Sequence, residues 1–208
     1  MNAITLVLIA FGLSFIGSLP FGIINMAVAH TALQKGLKAA LIVAAGAAFI
    51  EFFQVFVALK FTWLFTDGGS MEQYLHIIAM AVFLAAGIYF FFFAKSKAAP
   101  PDPGKTSRVH NLFGRGMFVS TLNVMAIPYW VFYGAWLTAE GVLEHDNTSV
   151  LLFSSGTVLG TFTLLLCYAL LGDRILSKYE NVTRWVNRFI GLVLFGLGVY
   201  QLVKVVGM

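Results

Sequence analysis

Phe15-Ile16-Gly17-Ser18-Leu19-Pro20-Phe21-Gly22-Ile23-Ile24-Asn25 decides how this chain is read. It lies inside an apolar run over residues 3–33, long enough to cross a bilayer, yet it carries a proline, two glycines and an amide. Proline removes a backbone donor and clashes with the preceding turn, and glycine tolerates unwound backbone. The run is therefore expected to be a membrane span broken near Pro20-Phe21-Gly22. Where the helix restarts it presents free N–H groups and a positive dipole end, a natural seat for a carboxylate.

A second copy follows as Phe118-Val119-Ser120-Thr121-Leu122-Asn123-Val124-Met125-Ala126-Ile127-Pro128. It repeats Phe, aliphatic, small, hydroxyl and Leu in order, and then the two copies trade residues, Pro20 and Asn25 against Asn123 and Pro128. Interrupted apolar segments at corresponding positions of two halves point to the binding site of a secondary transporter.

Composition supports a membrane setting. The 208 residues are 60% hydrophobic and 11% charged, with mean hydropathy +0.88, too apolar for a soluble domain. Continuous apolar runs suit helices rather than the alternation of barrel strands, so the fold class is an all-α integral membrane protein. Six spans are expected, over residues 3–33, 39–65, 73–94, 112–138, 149–171 and 185–206, with the first and fourth broken. The proline-rich segment around 97–110 is expected to be an extended cytoplasmic linker dividing one transmembrane domain into repeat 1 (1–96) and repeat 2 (111–208). The N-terminal run lacks a basic n-region and a cleavage site, so it is expected to stay as the first span.

Most basic residues, from Lys35 and Lys38 through Lys95, Lys97 and Arg115 to Arg184 and Arg188, fall on alternate loops or their edges, leaving Lys60 and Lys204 near the other side. That bias puts the basic loops in the cytoplasm and both termini outside. The same placement explains the net charge of +4 without a nucleic-acid partner. The repeat also extends past the breaks. Val82-Phe83-Leu84-Ala85-Ala86-Gly87-Ile88-Tyr89 matches Val193-Leu194-Phe195-Gly196-Leu197-Gly198-Val199-Tyr200, and Gly46 corresponds to Gly156. A repeat with an odd number of crossings inserts upside down relative to its copy, giving two inverted three-helix repeats.

Glu51 is the one acidic residue deep in a span, near the midpoint of the second. Its charge costs roughly 2.5 to 3.5 kcal/mol there, so it should face the bundle interior or a wet cavity. Burial favours the uncharged acid, whereas a bound ammonium favours the carboxylate, and those opposed effects suit a proton-coupled or cation-binding site. A protonated, hydrogen-bonded structural acid is the alternative. Gln54, almost one turn on, is as well suited to an interhelical hydrogen bond as to a ligand contact. Trp130, deep beside Tyr129 and Pro128, is a candidate cavity wall, while Trp63, Trp136 and Trp185 read as interfacial anchors. Gly156-Thr157-Val158-Leu159-Gly160 is a packing motif, small-xxx-small. Cys167, alone, excludes an internal disulfide, and the four histidines lack the spacing of a metal site, so neither metal nor cofactor is expected. Pro103-Gly104-Lys105-Thr106-Ser107 echoes a phosphate loop, but Ala99 stands where the upstream glycine belongs.

At these residues the chain resembles the LysE-type amino-acid exporter family. The resemblance rests on Leu19-Pro20-Phe21-Gly22-Ile23-Ile24-Asn25, the Lys35-Gly36 turn, Gly46-Ala47-Ala48-Phe49-Ile50-Glu51, and Asn123 with Pro128. Two departures stand out: Asn123 and Pro128 are not adjacent, and Ile50 replaces a usual glycine. The resemblance implies a multi-pass transporter of the bacterial cytoplasmic membrane that exports an amino acid or similar amphoteric solute, without enzymatic activity. Proton antiport is the expected coupling, and Pro20, Gly22, Asn25, Glu51, Gln54, Asn123, Pro128 and Trp130 form the expected substrate site. Membrane lipid surrounds such a protein, and a homodimer is compatible with it. An inorganic cation transporter and a structural or assembly subunit are the alternatives, the first short of acidic ligands and the second leaving Glu51 and the paired breaks unexplained.

Overall fold

The structure is a computed structural model that describes residues 2–19, 22–66, 109–123, 126–144 and 146–172, with short pieces between 81 and 92 and between 188 and 203. The main described elements are helices α1 (Ala3–Gly17), α2 (Ile23–Lys35), α3 (Leu37–Thr66), α4 (Val109–Thr121), α5 (Ala126–Ala139) and α6 (Asn147–Leu170). No strand occurs among the described residues. The expected first span is α1 with α2, the second α3, the fourth α4 with α5 and the fifth α6. Most of the expected third and sixth spans and of the linker lies outside the described residues, as does Pro20.

α1 is capped by Asn2, whose side chain accepts from the Ile4 N–H at 3.2 Å. It ends at Ser18, whose N–H turns back to Ser14 and Ile16 carbonyls, and α2 restarts from extended Gly22. A single residue separates α2 from α3. Gly36 has φ +83°, which a side chain would strain, and its N–H closes α2 onto the Ala32 carbonyl at 2.9 Å. α4 and α5 meet at a 64° bend. By length and composition α3 and α6 are each able to cross a membrane, and α4 with α5 passes that test as one broken span or a re-entrant loop.

Side-chain size is distributed as it is in lipid. Phe49, Phe53, Val57 and Phe61, at every fourth position of α3, are 42–50% exposed, while Ala40, Val43, Ala44, Ala47, Val55 and Ala58 are buried. Large residues meet the apolar solvent, and small ones let backbones approach. A Cβ on Gly46 would collide with the Phe113 carbonyl, and one on Gly116 with the Val43 carbonyl, so α3 and α4 cross in backbone contact. α1 crosses α6 in the same manner: a Cβ on Gly156 would lie 2.6 Å from the Val7 carbonyl, and one on Gly160 would strike the Phe11 carbonyl. The buried hydroxyls of Thr31 and Thr62 are satisfied within their own helices, on the Ala27 carbonyl at 2.6 Å and the Ala58 carbonyl at 2.9 Å.

The buried residues form two clusters. One joins Leu6, Ala10, Val55, Leu59, Ala126, Trp130, Val150 and Phe153; the other joins Val28, Ala40, Val43, Ala47, Leu112, Leu165 and Ala169. Along α3 the second cluster stops at Ala47 and the first begins at Val55, and along α6 they part between Phe153 and Leu165. The gap holds Glu51, Thr157 and Thr161, with Ser14 one turn beyond Ala10 on α1. Further along the chain Gly87 packs on Phe195, a Cβ there falling 2.8 Å from its nitrogen, and Gly198 packs on Leu84, 2.7 Å from its Cδ2.

Candidate functional site

Glu51 projects into the polar gap between the two apolar clusters. Its carboxyl lies beside polar side chains from three other elements: Thr161 of α6, Ser14 of α1 and Trp130 of α5. Around it the hydroxyls are themselves linked. Ser14 Oγ donates to the Thr157 carbonyl at 2.9 Å and lies 2.6 Å from Thr161 Oγ1. By surface area Glu51 is half-buried among these neighbours. Trp130, 2% exposed, is held beside Glu51 by an edge contact with Phe153, centroids 5.8 Å apart at 84°.

α1 runs alongside α6 in the same direction and opposite to α3. The two breaks therefore flank Glu51. Past Ser14, α1 reaches its end one turn later at Ser18, on one side. Gln54, one turn past Glu51 on α3, donates through Nε2 to the Ser120 carbonyl at 3.2 Å, at the end of α4, on the other. Gln54 Oε1 is buried with no partner among the described residues. A buried acceptor left unmet costs about 1–3 kcal/mol, so this oxygen is poised to take a donor.

At the first break, Asn25 is buried and its Nδ2 donates to the Ser18 carbonyl at 2.8 Å. Tyr168 of α6 donates to the Leu19 carbonyl at 2.7 Å and is hydrogen-bonded to Asn25. Tyr129 of α5 donates to the Leu13 carbonyl at 2.9 Å, and Gly17 leaves room for its ring, since a Cβ there would lie 2.6 Å from Tyr129 Cζ. Gly22 is the N-cap of α2 and supplies no side-chain cap. The N–H groups of that first turn point toward the break. At the second break, Asn123 is exposed, its N–H donating to the Ser120 carbonyl at 2.9 Å and its carbonyl accepting from Ala126 at 3.2 Å. Pro128 sits half-buried in the first turn of α5, where a missing N–H leaves no helical bond unmade.

The structure thus sets Glu51 beside Trp130 and ties Gln54 to the second break. Asn25 and Gly22 stand at the first break, and Asn123 and Pro128 at the second. Ser14, Thr161, Tyr129 and Tyr168 were not among the expected site residues. A signal for one of them existed: Thr161 lies five positions after Gly156, as Glu51 lies five after Gly46. No curated protein and no solved structure matches the chain. The family model of the LysE type translocator matches residues 3–205. With nearly the whole chain so matched, and with apolar helices long enough to cross a bilayer, this protein belongs to the LysE type translocator family and is a multi-pass membrane transporter of amino-acid-like solutes.

Proposed function

We propose that the protein exports an amino acid or similar small amphoteric solute across a bacterial cytoplasmic membrane in exchange for protons, with both termini outside. One observation carries this reading: an ionisable carboxyl in mid-span lies beside polar side chains of α1, α5 and α6, in the gap between two apolar clusters. A carboxyl so placed takes either a proton or the solute's ammonium group, which makes the two compete for one site. The solute carboxylate goes to the N–H groups at the start of α2, which Gly22 leaves uncapped, beside Asn25. Gln54 Oε1 accepts a further donor from the solute. Pro20, Asn123 and Pro128 complete the pair of breaks, one on each side of Glu51.

The mechanism is rocking of two inverted three-helix repeats against each other, so that the breaks open in turn. Paired contacts support the symmetry. Glu51 meets Thr161, its counterpart when Gly46 is matched to Gly156. With Leu84 matched to Phe195 and Gly87 to Gly198, the contacts Gly87 with Phe195 and Gly198 with Leu84 exchange with one another.

The test is efflux from vesicles reconstituted with the purified protein and loaded with a panel of labelled amino acids. Efflux of at least one of them, accelerated by an inward proton gradient and accompanied by proton entry, is the expected result. Efflux indifferent to that gradient would remove the antiport, and no movement of any amino acid would remove the substrate class.

A further inference from the structure

Two tyrosines from other helices reach the first broken span where it would have to move. Tyr129, in the first turn of α5 just past the second break, donates its hydroxyl to the Leu13 carbonyl near the end of α1 at 2.9 Å. Its ring is braced by Trp130 and Tyr133, with centroids 4.9 and 4.6 Å away. The tip of the ring fills the slot that Gly17 leaves. Tyr168, in the last turn of α6, donates to the Leu19 carbonyl at 2.7 Å. That carbonyl lies past the end of α1, and among the described residues no backbone N–H bonds it. A carbonyl at membrane depth needs a partner, so Leu19 leaves Tyr168 only when another donor replaces it. The third tie, Asn25 to the Ser18 carbonyl, joins the two sides of one span. It shapes the break, whereas the tyrosines anchor it to α5 and α6.

The second half of the chain carries these donors and the first half has nothing equivalent for the second break. In the register that sets Phe15 against Phe118, Met26 stands for Tyr129 and Ser120 for Gly17. In the register that sets Gly46 against Gly156, Ala58 stands for Tyr168. Neither methionine nor alanine has a side-chain proton to donate, and a serine Cβ closes the slot that a ring would enter. What the second break has instead is Gln54 on the Ser120 carbonyl at 3.2 Å, longer than either tyrosine bond. When a carrier of this build shuts its other side, the two hydroxyl bonds are therefore lost without being remade. Bonds present in one conformation and absent from the other shift the population between them.

We propose that Tyr129 and Tyr168 are the latch of the first break, positioning residues that bias the carrier toward the conformation with this break shut and the second open. The proposal rests on the reading of the protein as an alternating-access carrier and is independent of which solute it moves. An average interhelical hydrogen bond in a membrane protein shifts such a balance about threefold, and two of them about tenfold.

Hydrogen–deuterium exchange of the full chain in phosphatidylethanolamine and phosphatidylglycerol vesicles, with no solute added, tests the latch. Two sets of amides are followed, each bonded to a backbone carbonyl: Ser18, Leu19 and Met26 at the first break, and Leu122, Asn123 and Ala126 at the second. Tyr129→Phe and Tyr168→Phe should each lower protection about threefold at the first set, and the double variant about tenfold, while protection of the second set rises. Gly17→Ala keeps the hydroxyl but places a Cβ against the Tyr129 ring, so it should act as Tyr129→Phe does and stands in for that variant should it fail to insert. The reciprocal gain is what a packing role does not produce, since loosened packing exposes both breaks. Protection that is unchanged at the first break, that falls at both, or that falls at the first with no gain at the second overturns the proposal. With no solute present, any of these results leaves the efflux measurement standing on its own outcome.

Discussion

The stretches from Phe15 and from Phe118 begin with matching residues, and the protein treats the helix ends they hold differently. At the first, three carbonyls at the end of α1 are met by side chains from elsewhere: Leu13 by Tyr129, Ser18 by Asn25 and Leu19 by Tyr168. At the second, the chain is closed mostly by its own backbone, with Gln54 on the Ser120 carbonyl as the described tie from another helix, and Thr121, Leu122 and Asn123 are exposed. Freed backbone groups at membrane depth must find partners in protein or in a wet cavity. One break has the first solution and the other keeps its asparagine free of it. A carrier that opens its two sides in turn has to hold its halves unequally at any one moment, and this inequality has the form such a mechanism requires.

The strongest way to break the comparison is to remove what lies between the breaks. Glu51→Gln keeps the shape and eliminates titration, so under the proposed mechanism net export should fall on the order of tenfold or more and lose its pH dependence, and solute-for-solute exchange should fall with it because the ammonium loses its carboxylate. Both are measured in the same loaded vesicles. Export with wild-type rate and pH profile would reduce Glu51 to a packing group and leave the two breaks uncoupled.

Next in size is the crossing that leads into the second break. If α4 is held chiefly by backbone proximity, Gly116→Ala should cost about 1–3 kcal/mol, because its Cβ meets the Val43 carbonyl and no flexible side chain can yield. Gly114→Ala, in the same helix with nothing within 4 Å of its Cβ, should be neutral or slightly stabilising. Denaturant or thermal unfolding in detergent compares them. Equal effects would mean that α4 is held by something other than this contact.

Which parts of this arrangement the chain made legible follows from what each residue does alone. Gly22 and Asn123 carry their meaning locally, since α2 starts just after the one and α4 ends just before the other; Gly36 marks the turn into α3 for the same reason. Glu51 was conspicuous because a carboxyl in an apolar run has a cost that nothing nearby offsets. Ser14 and Tyr168 were silent, and Thr161 was marked only by its distance from Gly156. In-span serine and threonine ordinarily bond the preceding turn, as Thr31 and Ser154 do here, and an in-span tyrosine is an ordinary apolar residue with a polar tip. Their roles arise where α1 crosses α6, and that crossing depends on glycines whose partner helix a single chain's pattern leaves undefined.

The paired asparagines sharpen the comparison directly. Asn25→Ala leaves the Ser18 carbonyl unmet and should destabilise the protein by about 0.6 to 1.7 kcal/mol, the range for interhelical hydrogen bonds in a membrane protein. Asn123→Ala, at an exposed position, should stay within roughly 0.5 kcal/mol. Under the proposed function both also weaken solute binding. Asn123→Ala is the cleaner probe, since a transport defect there comes without a stability change. A stability loss at Asn123 as large as at Asn25 would show that the second break is closed by its side chain after all.

The smallest expected effect contrasts two helix starts. α2 begins in mid-span at Gly22 with no side-chain cap, whereas α6 begins at Asp146, which accepts from the N–H groups of Thr148 at 2.9 Å and Ser149 at 3.0 Å. Hydrogen bonds from the Ser149 side chain, then from the Ser149 and Thr148 backbone, hold the Asp146 carboxyl below its ordinary value. Its ionised form is therefore favoured in the folded protein. The sign follows from linkage: the contribution to stability is present above the unfolded-state value and is lost as pH falls through the lower, folded one. Asp146→Asn keeps the cap and removes the titration, so its unfolding midpoint should be flatter than the wild type's across that acid range, with little difference near neutrality. The full exposure of Asp146 keeps the effect small. The same substitution should leave the pH dependence of export unchanged, because that dependence is assigned to Glu51. A shift in the export profile with Asp146→Asn would move the coupling group from the buried gap between the breaks to the mouth of α6.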